Sequence, residues 1–173
     1  MERDVTGEEE VTAAVDFLAA PEGFTPARVL GVGPTPSGAV VMLGAIDRGM
    51  LLPIFISPGQ ALTIELRLDG EEFARPLTHD LLEEILGRLG GTIGKVQIDG
   101  LEGTTFHATI FVVTAEGVVE IDARPSDAIA LAAGREIPIF ISEEVLEKSG
   151  LTEDDIHEMR PPEAEDETPT MYL

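Results

Sequence analysis

The chain has 173 residues, 43% of them apolar, and no cysteine. That length fits one domain with tails, and the lack of cysteine excludes disulfides, thiolate metal sites and cysteine nucleophiles, which fits a cytoplasmic protein. Thirty-three acids face 11 bases for a net charge of −22; such self-repulsion costs stability in dilute buffer and is screened at about 1 M salt, so the composition reads as salt-adapted, the halophilic pattern.

No apolar run approaches the ~18 residues of a membrane span, and no apolar stretch follows Met1-Glu2-Arg3-Asp4 as a secretory signal would require. An acidic surface is a poor partner for nucleic acid at low salt, and counterion release adds little at high salt. A nucleic-acid role therefore needs a local arginine patch or a bound cation.

In chain order, residues 1–26 read as peripheral. A capping box from Thr6 to Glu9 opens a short helix with Val11, Val15 and Leu18 on one side, and Pro21-Glu22-Gly23 ends it. The body spans 27–151. Three strands, Arg28–Val32, Ala39–Ile46 and Met50–Ile56, are separated by Pro34-Thr35-Pro36-Ser37-Gly38 and Asp47-Arg48-Gly49. Ser57-Pro58-Gly59-Gln60 has the form of a capping box with proline at the first helical position. A second helix follows Pro76, with Thr78 as N-cap and Leu81, Leu82, Ile85, Leu86 and Leu89 as its apolar face; Gly90-Gly91 stops it.

The second half repeats the plan. Strands Gly94–Asp99, Thr105–Thr114 and Val118–Asp122 precede a helix from Pro125 to Ala133, a short strand at Pro138-Ile139-Phe140-Ile141, and a helix from Ser142 to Ser149. Sliding the chain on itself by 67 residues sets Pro58 on Pro125 and Ala61 on Ala128. The expected fold class is α+β, with internally duplicated β(3)α(2) units in one mixed, strongly twisted sheet with packed helices. Residues 152–173 read as an acidic, disordered tail.

Two junctions concentrate polar groups at helix starts: Arg75-Pro76-Leu77-Thr78-His79-Asp80 and Asp122-Ala123-Arg124-Pro125-Ser126-Asp127. Each has Arg-Pro, a hydroxyl, and an aspartate in the first turn. As plain structure, Thr78 or Ser126 caps amides and the acid meets the helix dipole, together about 1–2 kcal/mol. As chemistry, Asp122 and Asp127 could hold Mg²⁺ or Mn²⁺ through oxygen ligands, with Asp80 a candidate third ligand. Arg124 could clamp a phosphate or pair with a neighbouring aspartate. His79 stands at a helix start, and imidazoles titrate close to neutral pH, which suits a general base. His107 and His157 read as structural or surface residues.

The same two segments, with Leu52-Pro53-Ile54-Phe55-Ile56 and Pro138-Ile139-Phe140-Ile141 beside them, resemble the hallmark motifs of the bifunctional nuclease domain family, over roughly Val29 to Gly150. The resemblance implies a compact α+β domain, and some members of the family are associated with cleavage of both DNA and RNA. It carries over the positions Thr78, His79, Asp80, Asp122, Arg124, Ser126 and Asp127. Relatives often have Glu-Ala where Gln60-Ala61 stands here, which weakens a metal site if the carboxylate is a ligand and is harmless if it only closes the capping box. Self-association in the family implies a homodimer. The leading expectation is a metal-assisted nuclease on nucleic acid, with His79, Asp80, Arg124 and Ser126 as the catalytic set. The rival is a non-enzymatic binding or regulatory module for a protein or small ligand, whose motifs serve structure.

Overall fold

The computed structural model describes residues 17–71 and 73–159. Seven strands form one mixed sheet: β1 (Phe24–Thr35), β2 (Gly38–Ala45), β3 (Met50–Ile56), β4 (Thr92–Glu102), β5 (Thr105–Thr114), β6 (Gly117–Ala123) and β7 (Ile139–Ser142). Their order across the sheet is β3-β2-β1-β7-β4-β5-β6. Two antiparallel meanders thus flank β7, which runs antiparallel to β1 and parallel to β4. The helices are α1 (Pro58–Leu68), α2 (Thr78–Arg88), α3 (Pro125–Ala132), α4 (Glu143–Ser149) and α5 (Glu153–Met159).

The expected duplication is present in the fold. Gly38 and Thr105 open matching strands, Met50 and Gly117 the next pair, and Pro58 and Pro125 the helices that follow, each at the 67-residue offset. The first strand of the body is longer than its sequence suggested. Phe24, Thr25 and Pro26 already pair with β7, so these residues belong to the sheet and are not peripheral. The expected N-terminal helix over residues 6–16 and the tail beyond 159 lie outside the described residues. Residues 153–159 form α5, and the Thr152 hydroxyl and amide both donate to Asp155 at 2.7 and 2.8 Å, a cap that opens the helix inside the expected tail.

Strand alternation builds the core. Ala39, Val41, Leu43 and Ala45 of β2 point to one face, and Leu52 and Ile54 of β3 sit opposite Leu43 and Val41. Val96, Ile98, Ala108, Ile110 and Val112 continue that face through the second meander. Ile64 of α1, most of α3, and Val145 and Leu146 of α4 cover it. Burying a side chain such as Leu43 or Ile129 contributes about 1.5–3 kcal/mol. Helix α2 departs from expectation. Leu81, Leu82, Ile85 and Leu89 are exposed, and Leu86 alone of its leucine face packs against the core.

On the other face of the sheet, Lys95 is 93% buried. Its ammonium donates to the Phe17 carbonyl at 3.0 Å and lies 4.5 Å from the Phe17 ring centroid and 5.1 Å from that of Phe111. Burial pushes its pKa below the ordinary 10.5, against a smaller upward pull from Glu120. A depressed lysine binds fewer protons folded than unfolded, so stability rises with pH from the lowered value up to 10.5. Urea unfolding of wild type against Lys95→Met across that range should show this gain in wild type and not in the variant. Parallel curves would remove the buried charge from the account.

Candidate functional site

Helix α3 is buried along its length except at one residue. Of its eight residues only Asp127 reaches solvent, its side chain one-third exposed. In the first turn of an otherwise buried helix its carboxylate meets the positive end of the helix dipole. Strand β6 delivers the chain to it, Arg124 takes extended backbone as N-cap, and Pro125 supplies the first helical φ.

Asp127 is held from two sides. Arg124 donates to it through Nε at 2.6 Å and Nη2 at 3.1 Å. This hydrogen bond and the opposite charge raise the Arg124 pKa further above its ordinary value, so Arg124 stays charged. Across the cleft, Nε2 of His79 lies 3.7 Å from Asp127 Oδ1. The two junctions read from the sequence therefore meet at one place.

A third helix start completes it. Gln60 of α1 accepts from the Ser57 amide at 2.8 Å, and its own amide nitrogen donates to the Ser126 hydroxyl at 2.6 Å. Gln60 closes the capping box that the sequence suggested and also joins the two halves of the duplication. Residues from the starts of α1, α2 and α3 line a cleft of about 280 Å³ that includes Gln60, His79, Arg124, Ser126 and Asp127. Helix N-termini carry partial positive charge and unpaired amides. In this cleft the starts of α1 and α2 are capped by Gln60 and Asp80, and Arg124 supplies the cation beside Asp127.

Other expected roles are filled differently. Thr78 and Ser126 lie inside their helices, and neither is the N-cap. Asp80 performs the capping at α2, accepting from the Leu77 amide at 3.1 Å. Its other oxygen pairs with Arg67, on the side away from His79. Asp122 is exposed on β6 and registers with Thr109, while its neighbour Ile121 registers with the core residue Ile110. Alternation therefore puts Asp122 on the sheet face away from α3 and its Asp127. Among the described residues no three His, Asp or Glu side chains group as a metal site.

The residue that sequence reasoning missed is Arg67. It sits on the buried stripe of α1 with Ala61 and Ile64, and its side chain is 6% exposed. Its Nε donates to the Ala130 carbonyl at 2.5 Å and Nη2 donates to Glu83 at 2.6 Å, while Nη1 pairs with Asp80. Arg135 adds a second cation at 3.2 Å from Glu83. An arginine at a core-facing helical position was the available signal. The close approach also fixes Gly134. Its φ is +66°, and a Cβ there would run into the Arg67 carbonyl.

A family model described as the bifunctional nuclease domain matches residues 41–154. An uncharacterized protein of Mycobacterium tuberculosis is 36% identical over 112 residues, 65% of this chain and 66% of that protein. Bifunctional nuclease 1 of Arabidopsis thaliana is 26% identical over 119 residues, 67% of this chain and 37% of that protein. Bifunctional nuclease 1 of Oryza sativa subsp. japonica is 23% identical over 119 residues, 67% of this chain and 36% of that protein. Among the described residues no helix is long and apolar enough to cross a membrane.

Arg67→Ala takes a buried donor from the Ala130 carbonyl, while Asp80 and Glu83 stay part-exposed and keep Arg135, so it should lower stability by about 1–3 kcal/mol in urea unfolding. Arg124→Ala, which breaks an exposed pair, should leave the midpoint almost unmoved. Equal losses would mean that Arg67 is not what holds α2 in place.

Proposed function

The chain belongs to the bifunctional nuclease domain family, and on that premise we propose that it hydrolyses phosphodiester bonds of DNA and RNA in the cleft of His79, Arg124 and Asp127. The carrying observation is the approach of His79 to Asp127, 3.7 Å apart where three helices begin. In this reading His79 takes a proton from the attacking water, and Asp127 orients the imidazole and stabilises its charged form. Arg124, whose side chain is 71% exposed, turns to the phosphate and balances the charge that builds as the phosphorus–oxygen bond to the leaving group breaks. Gln60 and Ser126 form the wall against which the phosphate rests.

The Mg²⁺ or Mn²⁺ expected from the sequence finds Asp127 alone of its expected ligands in the cleft, and both oxygens of Asp127 already bind Arg124. This donor set does not fit the expected pair, so no step is routed through a cation. We read the charge of −22 as adaptation to molar salt, which sets the assay conditions.

The test is cleavage of single- and double-stranded DNA and RNA in about 2–3 M KCl, where charge repulsion is screened, with and without Mn²⁺. His79→Ala and Asp127→Asn should each lose at least about 10²-fold in rate. Loss of Mn²⁺-dependent cleavage in Asp122→Asn would return that carboxylate to the site. Absence of cleavage by folded wild type would overturn the reading in favour of a non-enzymatic binding module.

A further inference from the structure

The two edges of the sheet are finished differently. At one edge β3 is blunted. Pro53 removes a donor from mid-strand, and Leu51 and Leu151 exchange backbone hydrogen bonds of 2.8 and 2.7 Å on the side away from β2. At the other edge β6 runs in unbroken register with β5 from Gly117 to Ala123, and it carries no proline, lysine or arginine. Among the described residues no strand lies beyond it. Alternate amides and carbonyls of β6 bind β5, and those between them point outward, free to pair with another strand.

Two sets of side chains frame that open edge. On the core face, Val119 and Ile121 register with the buried Val112 and Ile110, yet they are themselves 48% and 44% exposed. Helix α2 lies beside them. Its Leu86 and the Val112 side chain close over Gly91, and its Glu83 flank is turned toward Ile93 of β4 and Ile137. At 3.6 residues per turn, Leu82, Ile85 and Leu89 therefore lie on the opposite flank, toward β6, and all three are exposed. On the outer face, alternation presents Glu120 and Asp122, which register with Phe111 and Thr109 and are exposed. A strand added here would bury its core-facing side chains against Val119, Ile121 and the leucine flank, and would set its outward ones beside two carboxylates.

We propose that β6 is a docking edge for an extended segment of a partner protein, one in which apolar residues alternate with lysine or arginine. The apolar set enters the gap between β6 and α2, and the basic set lies across from Glu120 and Asp122. Charge selects this occupant. Opposite charges across a strand pair attract and like charges directly opposite repel, so the two carboxylates favour a basic strand and oppose an acidic one. A second copy of β6 would bring the same two carboxylates and a whole-chain charge of −22. The inference rests on the sheet edge and stands apart from the nuclease reading.

Fluorescence anisotropy of labelled nine-residue peptides with the full chain tests this. One peptide alternates valine and lysine, one alternates valine and glutamate, and one rearranges the valine–lysine composition into two blocks. About 0.5 M KCl suits the assay, since a Debye length of about 4 Å leaves side chains across a strand pair still coupled; thermal unfolding checks that wild type and variants are folded there. The alternating basic peptide should bind at least about 10-fold more tightly than the other two, and it should slow amide exchange over residues 118–122. Glu120→Lys with Asp122→Lys should reverse the preference between the two alternating peptides. Leu82→Ser with Ile85→Ser, at exposed positions, should weaken binding several-fold. Equal binding of the block peptide would reduce the effect to a general attraction for cations and overturn the proposal, as would exchange unchanged at β6 or a preference unmoved by charge reversal. A dimer of wild type alone, with β6 amides protected as concentration rises, would give the edge to a second copy and overturn it too.

Discussion

One guanidinium decides where the start of α2, and with it His79, stands. Arg67 reaches out of α1, takes carbonyl oxygens from the end of α3, and holds Asp80 and Glu83 of α2. Helices α1 and α3 pack in the same core, and α2, which adds little to it, is tied to both at that point. Helix α2 needs it most, because it buries no residue fully. His79 sits next to Asp80 in the chain, so the same contact that anchors α2 also aims the imidazole across the cleft at Asp127. An aliphatic side chain at 67 could fill the space, and it could not bind backbone oxygens on one helix and carboxylates on another at the same time. The arginine's several donors in a fixed plane are what this arrangement requires.

Gln60 makes a complementary link at the other end of the cleft. Its oxygen closes the box at the start of α1, and its nitrogen reaches Ser126 in the other half of the chain. A glutamate would close the same box but has no amide to donate. Gln60 thus keeps the helix start intact and joins the two halves through its own amide. With Asp127 already matched by Arg124, a neutral side chain at 60 also avoids a second carboxylate in a cleft meant for an anion.

Much of this was legible in the sequence because it rests on local rules. Alternation gave the strands, proline and glycine gave the boundaries, and the 67-residue echo gave the two-part plan. The two polar junctions stood out because each interrupts apolar segments. Three points were not legible, and each is a matter of tertiary placement. Thr78 and Ser126 look like caps by residue type, but the aspartate at 80 does the capping at α2 and the arginine at 124 starts α3. Asp122 and Asp127 are five residues apart, yet a strand end and a helix start lie between them and turn them to different faces. The leucines of α2 read as a buried stripe because periodicity shows which residues share a side, not what lies opposite that side.

A duplicated fold carries the option of two equivalent sites, and this chain has closed it off. The position matching Asp127 in the first half is Gln60, which is uncharged and is used up in capping and in the link to Ser126. The position matching His79 in the second half is Leu146, buried in the core. Each half has therefore kept what the other lacks: the first holds the imidazole, the second the carboxylate. Neither half holds the His79–Asp127 pair by itself, so the fold forms one such cleft per polypeptide, shared by two diverged copies of the same unit.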